Sequence, residues 1–212
     1  MPTRPAAKLV DLPEKKSELS PKEHNQELLQ TLQREPELGV RLLFKRFSRE
    51  VNQLVWRLLG ADPEHNDVVQ QVFLKVLLQH HTLRDPDKLG AWIQVITVNT
   101  IYQELRRRER QRWLRLSWRP PQLHGDLVQE MEARDFLLAA LELIGRLPAK
   151  ERIVFSLRFV EGKTVPEIAM LCGFSEGTTK RRLSAALERF ERLVSGHREL
   201  AQWLEQLQER TA

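Results

Sequence analysis

The chain has 212 residues, 41% hydrophobic and 30% charged, with a formal net charge of +5 and a pI of about 9.6. Its apolar content suffices for one or two small cores, while the single cysteine, Cys172, excludes an intrachain disulfide and a thiolate-held metal cluster. No stretch reaches the roughly 18 apolar residues of a membrane span, and Met1 to Ser20 lack the apolar segment of a secretion signal. A cytoplasmic protein without membrane insertion is expected.

Apolar residues recur at helical spacing with almost no strand-like alternation, so the expected fold class is all-α, with two small helical domains joined by a flexible linker. Residues 1–35 form an N-terminal extension expected to be largely disordered. Pro2, Pro5, Pro13 and Pro21 stand among charged and small residues that bury too little to offset ordering entropy, and a first helical stretch breaks at Glu35-Pro36. A domain over 36–116 follows. In it Leu38, Leu42, Leu43, Phe47, Val51, Leu54, Val55 and Leu58 keep the spacing of a helix buried along one side. After a turn at 60–66, a helix carries Val68, Val69, Val72, Phe73, Val76 and Leu77 on one face and Asp67, Gln70, Gln71, Lys75 and Gln79 on the other. A loop from His81 to Lys88 leads to a long helix, Leu89 to Leu114. Its first half offers Trp92, Val95, Ile96 and Ile101 to a core, and its second half is arginine-rich.

The prolines of SWRPPQLHG (117–125) favour an extended chain and mark the linker, 117–129. In the second domain, 130–195, Phe136, Leu137, Ala140, Leu141 and Ile144 share a helical face, and another helix spans Glu151 to Val160. The most informative stretch is TVPEIAMLCGFSEGTTKRRLSAALERF, 164–190. Thr164 and Glu167 make a capping box, Pro166 is tolerated in a first turn, Gly173 supplies a left-handed C-cap, and Ser175 caps a second helix. Short capped helix, glycine turn and second capped helix together describe a helix-turn-helix, whose second helix enters the major groove by its N-terminal residues. Thr178, Thr179, Lys180, Arg181, Arg182 and Ser184 place donors there for phosphates and base edges.

Residues 141–193, with their LP…ER…F.LR…G.T..EIA…G.S.GT.K.RL pattern, resemble region 4 of extracytoplasmic-function sigma factors of the sigma-70 family. DVVQQVFLKVLLQ…LGAWIQVITVNTIYQELRRRER, 67–110, resembles region 2 of the same family, in order and spacing. The resemblance implies that Asp67, Gln70, Gln71, Phe73 and Lys75 contact the β′ clamp helices of RNA polymerase core, with a further contact to the β flap. It implies that Arg84 and Asn99 capture an unstacked base of the −10 element, and that Arg106, Arg107, Arg108 and Arg110 hold the DNA backbone. In region 4 it places Lys180, Arg181 and Ser184 against −35 bases, with Arg182 and Arg189 on phosphates. Promoter DNA, polymerase core and an anti-sigma factor are the implied partners; no cofactor is implied.

The rival reading is a two-site DNA-binding regulator that never joins polymerase. An enzyme is disfavoured: the histidines show no metal-ligand spacing, no P-loop or nucleophile elbow is present, and neither catalytic nor metal-ligating residues are assigned. Residues 196–212 form a C-terminal amphipathic extension with Leu200, Trp203, Leu204 and Leu207 on one stripe. That stripe either completes the second core or docks reversibly as a regulator.

Overall fold

A computed structural model describes residues 20–60, 62–114, 131–195 and 198–211. The expected linker, 117–129, lies outside the described residues. All regular structure among them is helical: α1 (Pro21–Arg34), α2 (Pro36–Leu59), α3 (His65–Gln79), α4 (Leu89–Leu114), α5 (Met131–Gly145), α6 (Ala149–Phe155, continued by a π turn to Val160), α7 (Val165–Cys172), α8 (Glu176–Val194) and α9 (Arg198–Thr211). The all-α expectation and its two helical clusters, α1–α4 and α5–α9, are what the structure contains.

The helical stretch expected before Glu35-Pro36 is present and begins at Pro21. Residues 21–34 form α1, because Pro21 stands in the first turn, where its missing N–H has no helical partner. Ser20 caps the helix: the Glu23 amide donates to its Oγ at 3.3 Å, and the Ser20 amide donates to Glu23 Oε2 at 2.6 Å. Leu28 and Leu32 are buried against α2. Gly39 makes that approach possible, since a Cβ there would stand 2.6 Å from Leu32 Cα.

The α1 contact also rotates α2. Its buried stripe is Gly39, Leu43, Phe47, Val51, Leu54, Val55 and Leu58, whereas Leu38 and Leu42, expected in the core, are about two-fifths exposed (40% and 41%). Leu137 likewise turns outward on α5, while Ala140 and Ile144 are buried. Helix α4 runs through the middle, packing on α2 and α3 on one side and on α6 and α7 on the other. Buried Thr97 and Thr100 return their hydroxyls to the carbonyls of Ile93 and Ile96. Trp92 packs against the core, as expected.

In the second cluster, aromatic rings form the centre: Phe155 lies 4.6 Å from Phe190 and 4.7 Å from Phe159, centroid to centroid. Helix α9 closes this core. Leu200 and Leu204 are buried, and Trp203 meets Phe136 and Phe190 at 5.8 and 6.3 Å. Of the two readings of the tail, the structure shows the core one.

The clusters also meet each other. Tyr102 packs edge-on against Phe174 at 6.3 Å, the Ala149 amide donates to Glu109 at 2.5 Å, and Arg57 pairs with Glu161 at 2.9 Å. Arg152 donates to the Leu58 carbonyl at 3.0 Å, and burial there pushes its guanidinium down to about 10. Separate in sequence, the two clusters share one continuous buried core in this structure.

Candidate nucleic-acid and polymerase interface

The helix-turn-helix is built as its capping residues dictate. The Glu167 amide donates to Thr164 Oγ1 at 3.4 Å, and the Thr164 hydroxyl and then its amide, each donating to Glu167 Oε2 at 2.7 Å, hold the Glu167 carboxyl below its usual pKa. Gly173 takes the left-handed conformation (φ 65°, ψ 35°), and the Phe174 amide then closes back on the Ala169 carbonyl at 2.9 Å. Ser175 caps α8 by accepting from the Thr178 amide at 3.2 Å. Thr179, expected on the donor face, is instead fully buried and spends its hydroxyl on the Ser175 carbonyl.

That burial orients the rest of α8. With Thr179, Leu183 and Ala186 facing the core, Lys180, Arg181 and Ser184 come together on the exposed face. Arg182 points elsewhere: its guanidinium lies 3.7 Å from the Phe174 ring centroid, and its Nη1 is buried without a hydrogen-bond partner. Arg189 is engaged by Glu151 at 2.7 Å. The residues expected to face DNA thus fall into an outward group (Lys180, Arg181, Ser184), half-buried Thr178, buried Thr179, and two arginines already occupied.

The arginines of α4 divide in the same way. Arg106 and Arg110 are exposed, and Arg106 lies over the Tyr102 ring at 5.8 Å. Arg107 and Arg108 instead converge on buried Glu104: Arg107 Nη2 is 2.7 Å and Arg108 Nε 2.6 Å from its Oε1. Glu64 receives Arg107 at 2.9 Å and Arg108 at 3.0 Å, and Arg108 also pairs with Asp62. Arg107, and then Arg108, hold the Glu104 carboxyl down at about 2 against the opposing effect of burial. Arg84 is exposed in the loop between two single-turn 3-10 segments, His80–Thr82 and Pro86–Lys88, and Asn99 is half-buried on α4, about 15 Å along the helix from Leu89.

On α3, Asp67, Gln70 and Gln71 share an exposed face. Lys75 turns toward α4, where its ammonium donates to Gln103 Oε1 at 2.8 Å and Thr100 Oγ1 at 3.2 Å. Phe73 is only 8% exposed and packs at 4.9 Å against Phe44 of α2. Sequence reasoning missed the apolar part of this surface. Leu74 and Leu78 are 57% and 64% exposed and continue the Asp67–Gln71 face. The available signal was that they fall outside the Val68–Val69–Val72–Val76 stripe. Cys172 is buried, with its thiol pushed up to about 12 by desolvation, so it is an unreactive core residue. Among the described residues no group of three or more His, Cys, Asp or Glu is placed to hold a metal.

Comparison with known proteins assigns both clusters. Residues 43–111 match the profile of Sigma-70 region 2, and residues 137–190 match Sigma-70 region 4. The chain belongs to the extracytoplasmic-function sigma factors of the sigma-70 family. It is 28% identical over 135 residues to RNA polymerase sigma factor HrpL of Pseudomonas syringae pv. syringae, covering 61% of this chain and 72% of that one. With the RNA polymerase sigma-H factor of Pseudomonas aeruginosa it shares 25% identity over 190 residues, 81% of this chain and 94% of the relative. Two solved folds resemble it. Sigma factor RpoE, in complex with the anti-sigma factor NepR from Bartonella quintana, gives a TM-score of 0.53 at 21% identity over 73% of this chain and 95% of that one. CnrH, in complex with the cytosolic domain of CnrY, gives 0.54 at 20% identity over 82% and 98%. As a sigma factor the chain binds core RNA polymerase, recognises promoter elements and is not an enzyme. The rival two-site regulator leaves the region 2 match unexplained. No helix among the described residues is long and apolar enough to cross a membrane.

Proposed function

We propose that this sigma factor reads the −35 element through Lys180, Arg181 and Ser184, captures an unstacked −10 base with the Arg84 loop and Asn99, and thereby directs strand opening by its polymerase. The observation that carries the reading is the outward group on α8. Lys180 and Arg181 stand in the first turns of the recognition helix, where a helix enters the major groove, without an ion-pair partner among the described residues. Exposed Ser184, one turn on, gives its proton to the Lys180 carbonyl and keeps its oxygen as an acceptor. Arg106 and Arg110 add sequence-independent phosphate contacts. Asp67, Gln70, Gln71, Leu74 and Leu78 present the polymerase-binding face, an apolar centre beside hydrogen-bonding amides. Phe73 and Lys75 support that face from beneath and from the side. The β flap is assigned to region 4, and an anti-sigma factor, by analogy with the RpoE–NepR complex, would cover these same surfaces.

Run-off transcription with core polymerase tests the reading. Chain plus core is expected to initiate at promoters selected from a genomic library, where neither does so alone. Selective duplex binding without any core-dependent transcript would refute it.

A further inference from the structure

The −10-reading loop is not self-supporting. Its internal bonds are short-range: the Leu83 amide to the His80 carbonyl, the Asp87 amide to Asp85 Oδ1, and the Lys88 amide to the Asp85 carbonyl. Two tethers reach it from α1, which begins upstream of the region 2 match. Asn25 Nδ2 donates to the Pro86 carbonyl at 2.7 Å, and Lys22 pairs with Asp87 at 3.3 Å.

Asn25 is the informative one. It continues the buried stripe of Leu28 and Leu32 and is itself only 6% exposed. A leucine there would complete the apolar stripe. The asparagine instead leaves its Oδ1 buried without a hydrogen-bond partner, an arrangement that stability alone does not favour. What the amide supplies is one directed N–H, aimed at the backbone of the loop that carries Arg84. Departures from the packing rule of this kind gather where function sets the residue.

We infer that Asn25, with Lys22, is a positioning residue for −10 recognition: α1 fixes the height and angle of the Arg84–Lys88 loop, and so which unstacked base the holoenzyme accepts. The inference rests on the proposed −10 role of that loop. Neither residue is required to touch DNA. Because Pro86 opens the 3-10 turn that runs directly into α4, a shift of its carbonyl moves the loop against a fixed α4.

The test uses holoenzyme and a fork-junction DNA whose single-stranded −10 window is randomised, with a randomised −35 duplex selected in parallel. Asn25→Leu is expected to keep or raise Tm and to leave −35 selection unchanged. Base enrichment at one or two adjacent −10 positions should flatten about fivefold, the weight of one ordinary hydrogen bond. Lys22→Glu, on an exposed side chain that cannot unfold the protein, should flatten the same positions less, and Asp87→Lys in the same chain should restore them. A −10 profile superimposable on wild type overturns the inference. So does a fall in Tm with equal loss at both elements, which would make Asn25 merely structural. If wild-type holoenzyme selects no sequence in the single-stranded window, the −10 reading itself fails, and the inference with it.

Discussion

Replacing Glu104 with glutamine should lower stability and raise non-specific DNA affinity together. In the folded chain Arg107 and Arg108 hold this carboxyl at about 2 instead of 4.5. At full weight such a shift corresponds to roughly 3 kcal/mol. Arg107 and Glu64 are nearly half exposed (44% and 47%), so solvent screening reduces the figure to about 1–2 kcal/mol. A carboxylate with a depressed folded pKa contributes fully above its unfolded value and loses that contribution as pH falls. The acid limb should therefore run from about 4.5 down to about 2 in wild type and be absent from Glu104→Gln. At pH 7 the variant should melt roughly 3–6 °C lower. Its arginines, then held only by Glu64 and Asp62, become more available to phosphates, so log affinity for random-sequence duplex should fall more steeply with log salt, by about 0.9 per new contact. Urea titrations at pH 7 and pH 3 and fluorescence anisotropy across a salt series read both effects. An unchanged acid limb with an unchanged salt slope would refute the assignment of Glu104 as the residue that occupies these arginines.

Alanine at both Lys180 and Arg181 should weaken −35 duplex binding by about tenfold or more while leaving association with core intact, as gel-shift and core pull-down assays would show. Asn99→Ala should retain duplex binding but impair strand opening, which permanganate footprinting of the −10 region detects. Leu74→Asp with Leu78→Asp, on side chains more than half exposed, should change Tm by little and reduce affinity for core about tenfold or more. Wild-type affinity for core would remove these leucines from the polymerase face.

How legible the molecule was in its sequence depended on the range of the interaction. Local signals served well: the long helix runs from Leu89 to Leu114 as its periodicity indicates, and Thr164, Gly173 and Ser175 cap as their types require. Ser20 and Glu23 carry the same capping signal for α1, and Pro21, grouped by composition with the prolines of the N-terminal segment, stands in the first turn, where proline starts a helix. Long-range effects were out of reach. Leu38 and Leu42 face outward because Gly39 admits α1, a contact no helical periodicity contains. Arg107 and Arg108 looked as available as Arg106 until the turn carrying Asp62 and Glu64 folded onto them. The half of the α3 face formed by Leu74 and Leu78 was hidden for a related reason: an exposed leucine is visible only once the buried stripe has been fixed by its neighbours.

Helix α9 poses the sharpest choice, since an acidic helix near a basic recognition surface could act as a lid. Its geometry argues otherwise. Leu200 and Leu204 are 3% exposed, and Trp203 fills the space beside Phe190 at the centre of the second core. Its polar side does reach α8, where Gln208 Nε2 donates to Glu191 at 2.9 Å. Glu191 lies about 15 Å along α8 from Lys180 and Arg181, roughly two Debye lengths in physiological salt. Glu199, Glu205 and Glu209 are exposed to solvent. Truncation after Gly196 should therefore remove core, not a restraint. Losing two buried leucines and half-buried Trp203 is expected to cost several kcal/mol, because each large core truncation alone costs about 2–5. Tm, −35 binding and transcription should fall together. Leu204→Ala should reproduce the loss at smaller scale, while Glu199→Gln with Glu205→Gln should change neither stability nor promoter affinity. A truncated chain that kept its Tm and bound −35 DNA more tightly would show that α9 restrains the recognition helix despite its burial.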